Sequence, residues 1–181
     1  MDSPRDLTDP DRPRRNIEIK ARVADLDHAR EVARRLATDH LGVLQQTDTY
    51  FHCPSGRLKL REIEGQPAEL IAYARPDQAG PKTSDYHLVV AADPAGLLRA
   101  LSSTLGVRIV VKKRREVFLV DNVRIHLDEV YGLGSFLELE AVVGEEVDEK
   151  RAHEQISGLL EALRIDGSDL LDSSYGDMLG A

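Results

Sequence analysis

Polar and apolar positions alternate along much of this chain, and in the alternating stretches the polar positions carry charge. Glu18-Ile19-Lys20, Lys59-Leu60-Arg61, Arg124-Ile125-His126-Leu127-Asp128 and Glu138-Leu139-Glu140 all place charged groups two residues apart. Lys113-Arg114-Arg115 keeps the spacing without the apolar residue between. Residues i and i+2 of a strand share a face. Each segment therefore reads as a strand with one charged face and, in most, an Ile or Leu face. The predicted strands are Asn16–Val23, Val43–Phe51, Arg57–Glu64, Glu69–Arg75, Asp85–Ala91, Arg108–Val120, Asn122–Glu129 and Phe136–Val143. Pro54-Ser55-Gly56, Gly65-Gln66-Pro67 and Tyr131-Gly132-Leu133-Gly134 are the turns between neighbours.

Three stretches switch to a helical period. Asp25 or Asp27 caps a helix with Leu26, Ala29, Val32, Ala33 and Leu36 on one face, expected to end at Gly42. Asp93-Pro94 opens a second, with Leu97, Leu98, Leu101 and Leu105 as its stripe and Gly106 as its stop. A third covers about Val147–Leu163 and presents Ile156, Leu159, Leu160 and Leu163. Residues 77–82 read as a loop, 1–15 as a flexible leader, and 16–181 as one domain with a short tail after the third helix.

Six to eight strands joined by short turns, with few helices, predict an α+β fold that is mainly β, built on an antiparallel sheet. The amphipathic helices cover the apolar strand faces. The charged faces then have two options. They stay solvated on an open sheet, laced with cross-strand ion pairs, or they line the wet interior of a closed barrel.

Composition narrows the partners. A net charge of −8, only 4% aromatic residues and no Trp exclude broad electrostatic binding to nucleic acid or anionic membrane, and an aromatic stacking platform. The single cysteine, Cys53, excludes an internal disulfide and a cysteine metal site. No apolar run approaches the roughly 20 residues that span a bilayer. Met1–Arg15 lacks the apolar core of a signal peptide. A cytoplasmic location is expected.

The charged rows are sorted by sign. Lys20, Arg57, Lys59, Arg61, Arg75, Lys113, Arg115 and Arg124 form a basic set. Converging cations repel one another unless a polyanion neutralises them, and Arg binds phosphate oxygens bidentately. Glu18, Asp128, Glu138 and Glu140 form an acidic set of oxygen ligands suited to Mg²⁺ or Mn²⁺. Spacing alone leaves Lys112 with Arg114 as an alternative to Lys113 with Arg115. No pair of the six histidines has zinc-ligand spacing, and only His126 lies in a charged row. Tyr50 ends a strand, where it packs or lines the cavity; Tyr73 shares a face with Arg75.

Seven segments in order carry a family resemblance. They are Asn-Ile-Glu-Ile-Lys at 16–20, Asp-Thr-Tyr-Phe at 48–51, Leu-Lys-Leu-Arg at 58–61, Tyr-Ala-Arg-Pro at 73–76, Lys-Lys-Arg-Arg at 112–115, Ile-His-Leu-Asp at 125–128 and Leu-Gly-Ser-Phe-Leu-Glu-Leu-Glu at 133–140. Together they resemble the CYTH family, also called triphosphate tunnel metalloenzymes. The likeness is greatest to its class IV adenylate cyclase-like group, which is related to thiamine triphosphatases. It runs from Asn16 to Leu179.

The resemblance implies an eight-stranded antiparallel β-barrel whose tunnel holds a triphosphate. Lys20, Lys59, Arg61, Arg75, Lys113 and Arg115 would hold its oxygens, and Glu18, Asp128, Glu138 and Glu140 one or two divalent ions. It selects Lys113 and Arg115 over their neighbours. It also implies a triphosphate-bearing small molecule as partner: ATP, thiamine triphosphate or tripolyphosphate. Metal-dependent hydrolysis is expected, with Lys20 and Tyr50 assisting proton transfer. Adenylate cyclase activity is the alternative, and a non-catalytic nucleotide- or polyphosphate-binding module a third. The family contains dimers, which leans toward a homodimer. One position departs from the pattern: the family's opening Glu-x-Glu-x-Lys begins here with Asn16, a neutral oxygen ligand.

Overall fold

The computed structural model describes residues 14–74 and 80–180. The expected leader, up to residue 13, and Arg75 with the loop positions 77–79 lie outside the described residues. Eight strands and four helices follow in order: β1 (Arg14–Arg22), α1 (Leu26–Leu36), β2 (Asp39–Phe51), β3 (Arg57–Ile63), β4 (Ala68–Ala74), β5 (Lys82–Ala91), α2 (Pro94–Thr104), β6 (Val107–Val120), β7 (Val123–Val130), β8 (Gly134–Val143), α3 (Glu149–Ala162) and α4 (Tyr175–Leu179). The strands close into one antiparallel barrel in the order β1-β5-β4-β3-β2-β6-β7-β8. Pairing of β1 with β8 seals it, with Glu18 opposite Glu140 and Lys20 opposite Glu138.

Alternation decides which face points where. Ile17, Ile19, Ile125, Leu127, Leu137 and Leu139 face outward and are buried with Ala29, Val32 and Ala33 of α1 and Ala152, Ile156 and Leu159 of α3. The two helices thus cover one side of the barrel. Removing a buried aliphatic side chain from such a cluster, for example Ile156→Ala, costs about 2–5 kcal/mol. On another side, Phe51, Leu60 and Ala68 pack under Leu97, Leu98 and Leu101 of α2. With the apolar faces spent outside, the polar faces turn inward, so the barrel alternative holds over the open sheet. Among the described residues no helix is long and apolar enough to cross a membrane.

Helix starts follow local chemistry: Asp25 accepts from the His28 N–H at 2.9 Å and Asp93 from the Gly96 N–H at 2.9 Å. Several boundaries differ from expectation, beginning with β1, which takes in Arg14 and Arg15 of the expected leader. Helix α1 ends at Leu36, because Thr38 is drawn onto β6 by its N–H bond to the Leu119 carbonyl at 2.7 Å. Gly42 lies instead inside β2, with φ +89° beside a register shift, where its missing Cβ is useful. Strand β5 starts at Lys82, inside the expected loop.

The short tail also has structure. Leu171 donates its N–H to the Lys20 carbonyl at 2.9 Å and Leu170 bridges to Ala21. Ser174 and Asp177 then form a capping box that starts α4.

Candidate functional site

The inward faces enclose a cavity of about 410 Å³. Glu18 and Lys20 reach it from β1, Tyr50 from β2, Lys59 and Arg61 from β3, Lys113 and Arg115 from β6, Arg124 from β7, and Glu138 and Glu140 from β8. The ambiguity on β6 resolves by burial: Lys113 and Arg115 point in, whereas Lys112 is exposed and Arg114 pairs on the outside with Glu129 at 3.0 Å. Asp128 is fully buried against Lys113 and Arg115. Arg57 shares the parity of Lys59 and Arg61 but lies further along β3, 3.4 Å from Asp177.

Two clamps of the same design hold the deep cations. On one side Asp48 of β2 takes Lys59 Nζ at 3.0 Å and Arg61 Nε at 2.9 Å, and the Gln46 amide at 3.1 Å. On the other, Asp128 of β7 takes Arg115 Nε at 2.7 Å, Lys113 Nζ at 3.3 Å and the Tyr175 hydroxyl at 2.8 Å. Each clamp is a Lys-x-Arg row on one strand gripped by a carboxylate on its neighbour.

The electrostatics follow from burial against charge. Burial opposes ionisation of Asp48, but Arg61, Lys59 and Lys113 outweigh it and hold the carboxyl well below its usual range. Asp128 is likewise held low by Arg115 and Lys113 against its burial. The lysines move the other way. Burial and then Arg61 bring Lys59 down to about 7, and burial with Arg115 brings Lys113 to about 8. Tyr50 is pushed up by burial, then by Tyr73 and Asp48, so its hydroxyl stays protonated.

The acidic row is also paired. Glu138 accepts from Lys20 Nζ at 2.6 Å and from Arg115; Glu140 lies 3.3 Å from Arg124 and accepts from the Asn16 amide. Despite burial, Lys20, Arg115 and His126 hold Glu138 well below the usual carboxylate range. Lys20 Nζ otherwise sits 3.9 Å from the Tyr175 ring centre, and Lys59 Nζ sits 5.5 Å from that of Tyr50.

Among the described residues no three His, Cys, Asp or Glu side chains converge as a formed metal cage. The donor chemistry nevertheless fits a hard divalent cation. Glu18, Glu138 and Glu140 offer carboxylate oxygens into one cavity, and Asn16 Oδ1 is buried with no hydrogen-bond partner.

Asp48 and Tyr175 are cavity residues that the sequence did not single out, nor did it single out Lys82, which bonds the segment leading to Tyr175. Asp48 stands two positions before Tyr50 in a predicted strand, so its shared face was readable. Tyr175 lies in a segment too short for periodicity; a Ser-x-x-Asp cap at 174–177 was its only signal.

The CYTH domain profile matches residues 14–175. A Methanocaldococcus jannaschii protein, named provisionally as an adenylate cyclase, is 24% identical over 173 residues, covering 91% of this chain and 98% of that protein. The Pyrococcus horikoshii PH1012 protein has the same fold, with a TM-score of 0.79 and 23% identity over 90% of this chain and 98% of that one. So does a Vibrio parahaemolyticus protein, also named provisionally as an adenylate cyclase, with a TM-score of 0.77 and 22% identity over 92% and 98% of the two chains. With its closed eight-stranded barrel and a match spanning 14–175, the chain belongs to the CYTH family.

Proposed function

We propose that this protein is a divalent-metal-dependent triphosphatase whose substrate lies along the barrel cavity. One observation carries this: six basic side chains and three glutamates, drawn from five strands, converge inside a single closed barrel. Phosphoryl transfer needs positioning and charge stabilisation more than covalent chemistry, and rows held in place by Asp48 and Asp128 are preorganised for both.

In this proposal Lys20, Lys59, Arg61, Lys113, Arg115 and Arg124 hold phosphate oxygens. Glu18, Glu138 and Glu140, with Asn16 Oδ1, hold Mg²⁺ or Mn²⁺. Asp128 joins them only by giving up part of its grip on Arg115 and Lys113. The metal, when bound, neutralises phosphate charge and lowers the pKa of a bound water. Lys59, at about 7, can take up a proton at neutral pH, and the Tyr50 hydroxyl remains a hydrogen-bond donor.

A second reading is adenylate cyclase, favoured by the names of the M. jannaschii and V. parahaemolyticus relatives. The test is incubation with Mn²⁺ and ATP, tripolyphosphate or thiamine triphosphate. Release of orthophosphate supports the triphosphatase. Cyclic AMP with pyrophosphate from ATP replaces it with the cyclase, and no turnover of any of the three refutes both.

A further inference from the structure

The two ends of the cavity are unlike. At one end Arg124 keeps 42% of its side chain exposed, and the half-buried Leu44, Ile63, Tyr86 and Leu88 line an open mouth. At the other end the C-terminal segment crosses the barrel. Tyr175 and Ser174 line the cavity there, and both are buried.

That segment is anchored from several sides. Lys82, fully buried, donates from Nζ to the carbonyls of Leu171 and Asp172 at 3.3 and 3.2 Å. Asp177 accepts from Arg57 at 3.4 Å and from Arg108. Leu171, Met178 and Leu179 pack with Tyr175 onto Val111, Val130 and Phe136, whose ring centre is 5.0 Å from that of Tyr175. A buried lysine bonded to backbone carbonyls and a carboxylate shared by two arginines hold the tail as a fixed wall.

The wall touches the phosphate-binding groups. Besides its bond to Asp128, the Tyr175 ring lies 3.9 Å from Lys20 Nζ and 4.9 Å from Lys113 Nζ. An anion held between those two ammonium groups would lie against the aromatic ring, and Val111, Val130 and Phe136 pack with that ring.

We propose that the segment Leu170–Leu179 closes the tunnel, and that Tyr175, as a positioning residue, restricts it to triphosphates whose terminal phosphate carries no bulky substituent. This rests on the triphosphate reading above. The substrate enters by the Arg124 mouth, its free phosphate reaches Lys20 and Lys113, and any organic group stays at the mouth. Rejection is steric: the wall builds a clash against a substituted terminal phosphate instead of adding a contact to the free one.

Calorimetric titration tests this, with every ligand run at one fixed Mg²⁺ concentration. The ligands are tripolyphosphate, ATP, and the γ-methyl and γ-phenyl esters of ATP; the two esters carry the same charge and differ in bulk. Wild type should bind ATP, bind the methyl ester within ~10-fold of it, and bind the phenyl ester at least ~100-fold more weakly than the methyl ester. Tyr175→Ala, which opens the wall, should bring the two esters within ~3-fold of each other. Tyr175→Leu retains apolar packing and serves if the alanine variant does not fold; it should narrow the same ratio. Equal binding of both esters by wild type, or an unchanged ratio in the folded variants, overturns the end wall while ATP binding still upholds the tunnel. Failure to bind ATP and tripolyphosphate at millimolar concentration overturns the triphosphate reading and this inference with it.

Discussion

Replacing Asp48 by Asn removes the charge that holds Lys59 and Arg61 while keeping the shape of the side chain. Asp48 is 2% exposed, and its two oxygens receive Lys59 at 3.0 Å and Arg61 at 2.9 and 3.2 Å. Taking one partner out of a buried ion pair costs about 3–5 kcal/mol. The structure also supplies a relief. Burial and Arg61 already bring Lys59 to about 7, against the upward pull of Asp48. Without Asp48 it falls further, so at pH 8 the lysine is neutral and only Arg61 is uncompensated. The loss at pH 8 should therefore be near the lower limit, about 3 kcal/mol, or roughly 6–12 °C in Tm for a domain of this size.

The sign of the pH dependence is fixed by proton counts. An unfolded lysine titrates near 10.4. Stability rises with pH wherever the unfolded chain binds more protons than the folded one. For wild-type Lys59 that window runs from about 7 upward, and below it the contribution levels off. In Asp48→Asn the window extends lower, so the variant keeps losing stability below pH 7, by about 1.4 kcal/mol per pH unit relative to wild type. Urea unfolding of both proteins at pH 6, 7 and 8 measures this. A difference that stays constant with pH removes the Lys59 titration from the account. Equal stability at pH 6 removes the clamp itself.

Three further outcomes are expected. Glu138→Gln with Glu140→Gln should abolish metal-dependent turnover, a larger effect than the ~10–100-fold loss typical of residues outside the ligand set, with the far-ultraviolet circular dichroism spectrum retained; full activity would remove both glutamates from the metal site. Tripolyphosphate with Mg²⁺ at a hundredfold excess over its Kd should stabilise the fold by about 2.7 kcal/mol, and less without Mg²⁺; no thermal shift at millimolar concentration would count against the tunnel. Asn16→Glu puts a second carboxylate beside Glu140, so it should lower Tm in metal-free buffer and tighten Mn²⁺ binding by calorimetry; unchanged Mn²⁺ affinity would place Asn16 outside the metal site.

What was readable in the sequence was parity. The i, i+2 rows separate Ile19 from Glu18 and Lys20, and the structure sends the first outward and the others inward. Parity says which residues share a face, but not which residues on other strands they meet. Nothing local shows that Asp48 grips the Lys59–Arg61 row across the β2–β3 pairing, or that Arg57 on the same row reaches Asp177, 120 residues away. Lys82 was hidden for a different reason. A lysine beside Gly80-Pro81 reads as loop, whereas in the fold it is buried and bonds carbonyls of the distant tail. The tail itself has too few residues for a period to show, so the wall at the end of the tunnel depends on contacts made across the fold.

Charge compensation inside the barrel bears on what must bind with a triphosphate. Rows of basic side chains alone would leave an empty tunnel strongly positive and self-repelling. The structure instead interleaves them with carboxylates. Lys20, Lys59, Arg61, Lys113, Arg115 and Arg124 are met by Asp48, Asp128, Glu18, Glu138 and Glu140. Lys59, at about 7, adds only part of a charge at neutral pH. The described interior is therefore close to neutral before any ligand enters. A triphosphate brings roughly four negative charges, which this interior cannot balance with cations already committed to Asp48 and Asp128. A divalent cation entering with the phosphates would offset part of that charge and would give Glu138 and Glu140 a partner other than Lys20, Arg115 and Arg124. The coupling is reciprocal: if metal tightens triphosphate binding, triphosphate tightens metal binding by the same factor.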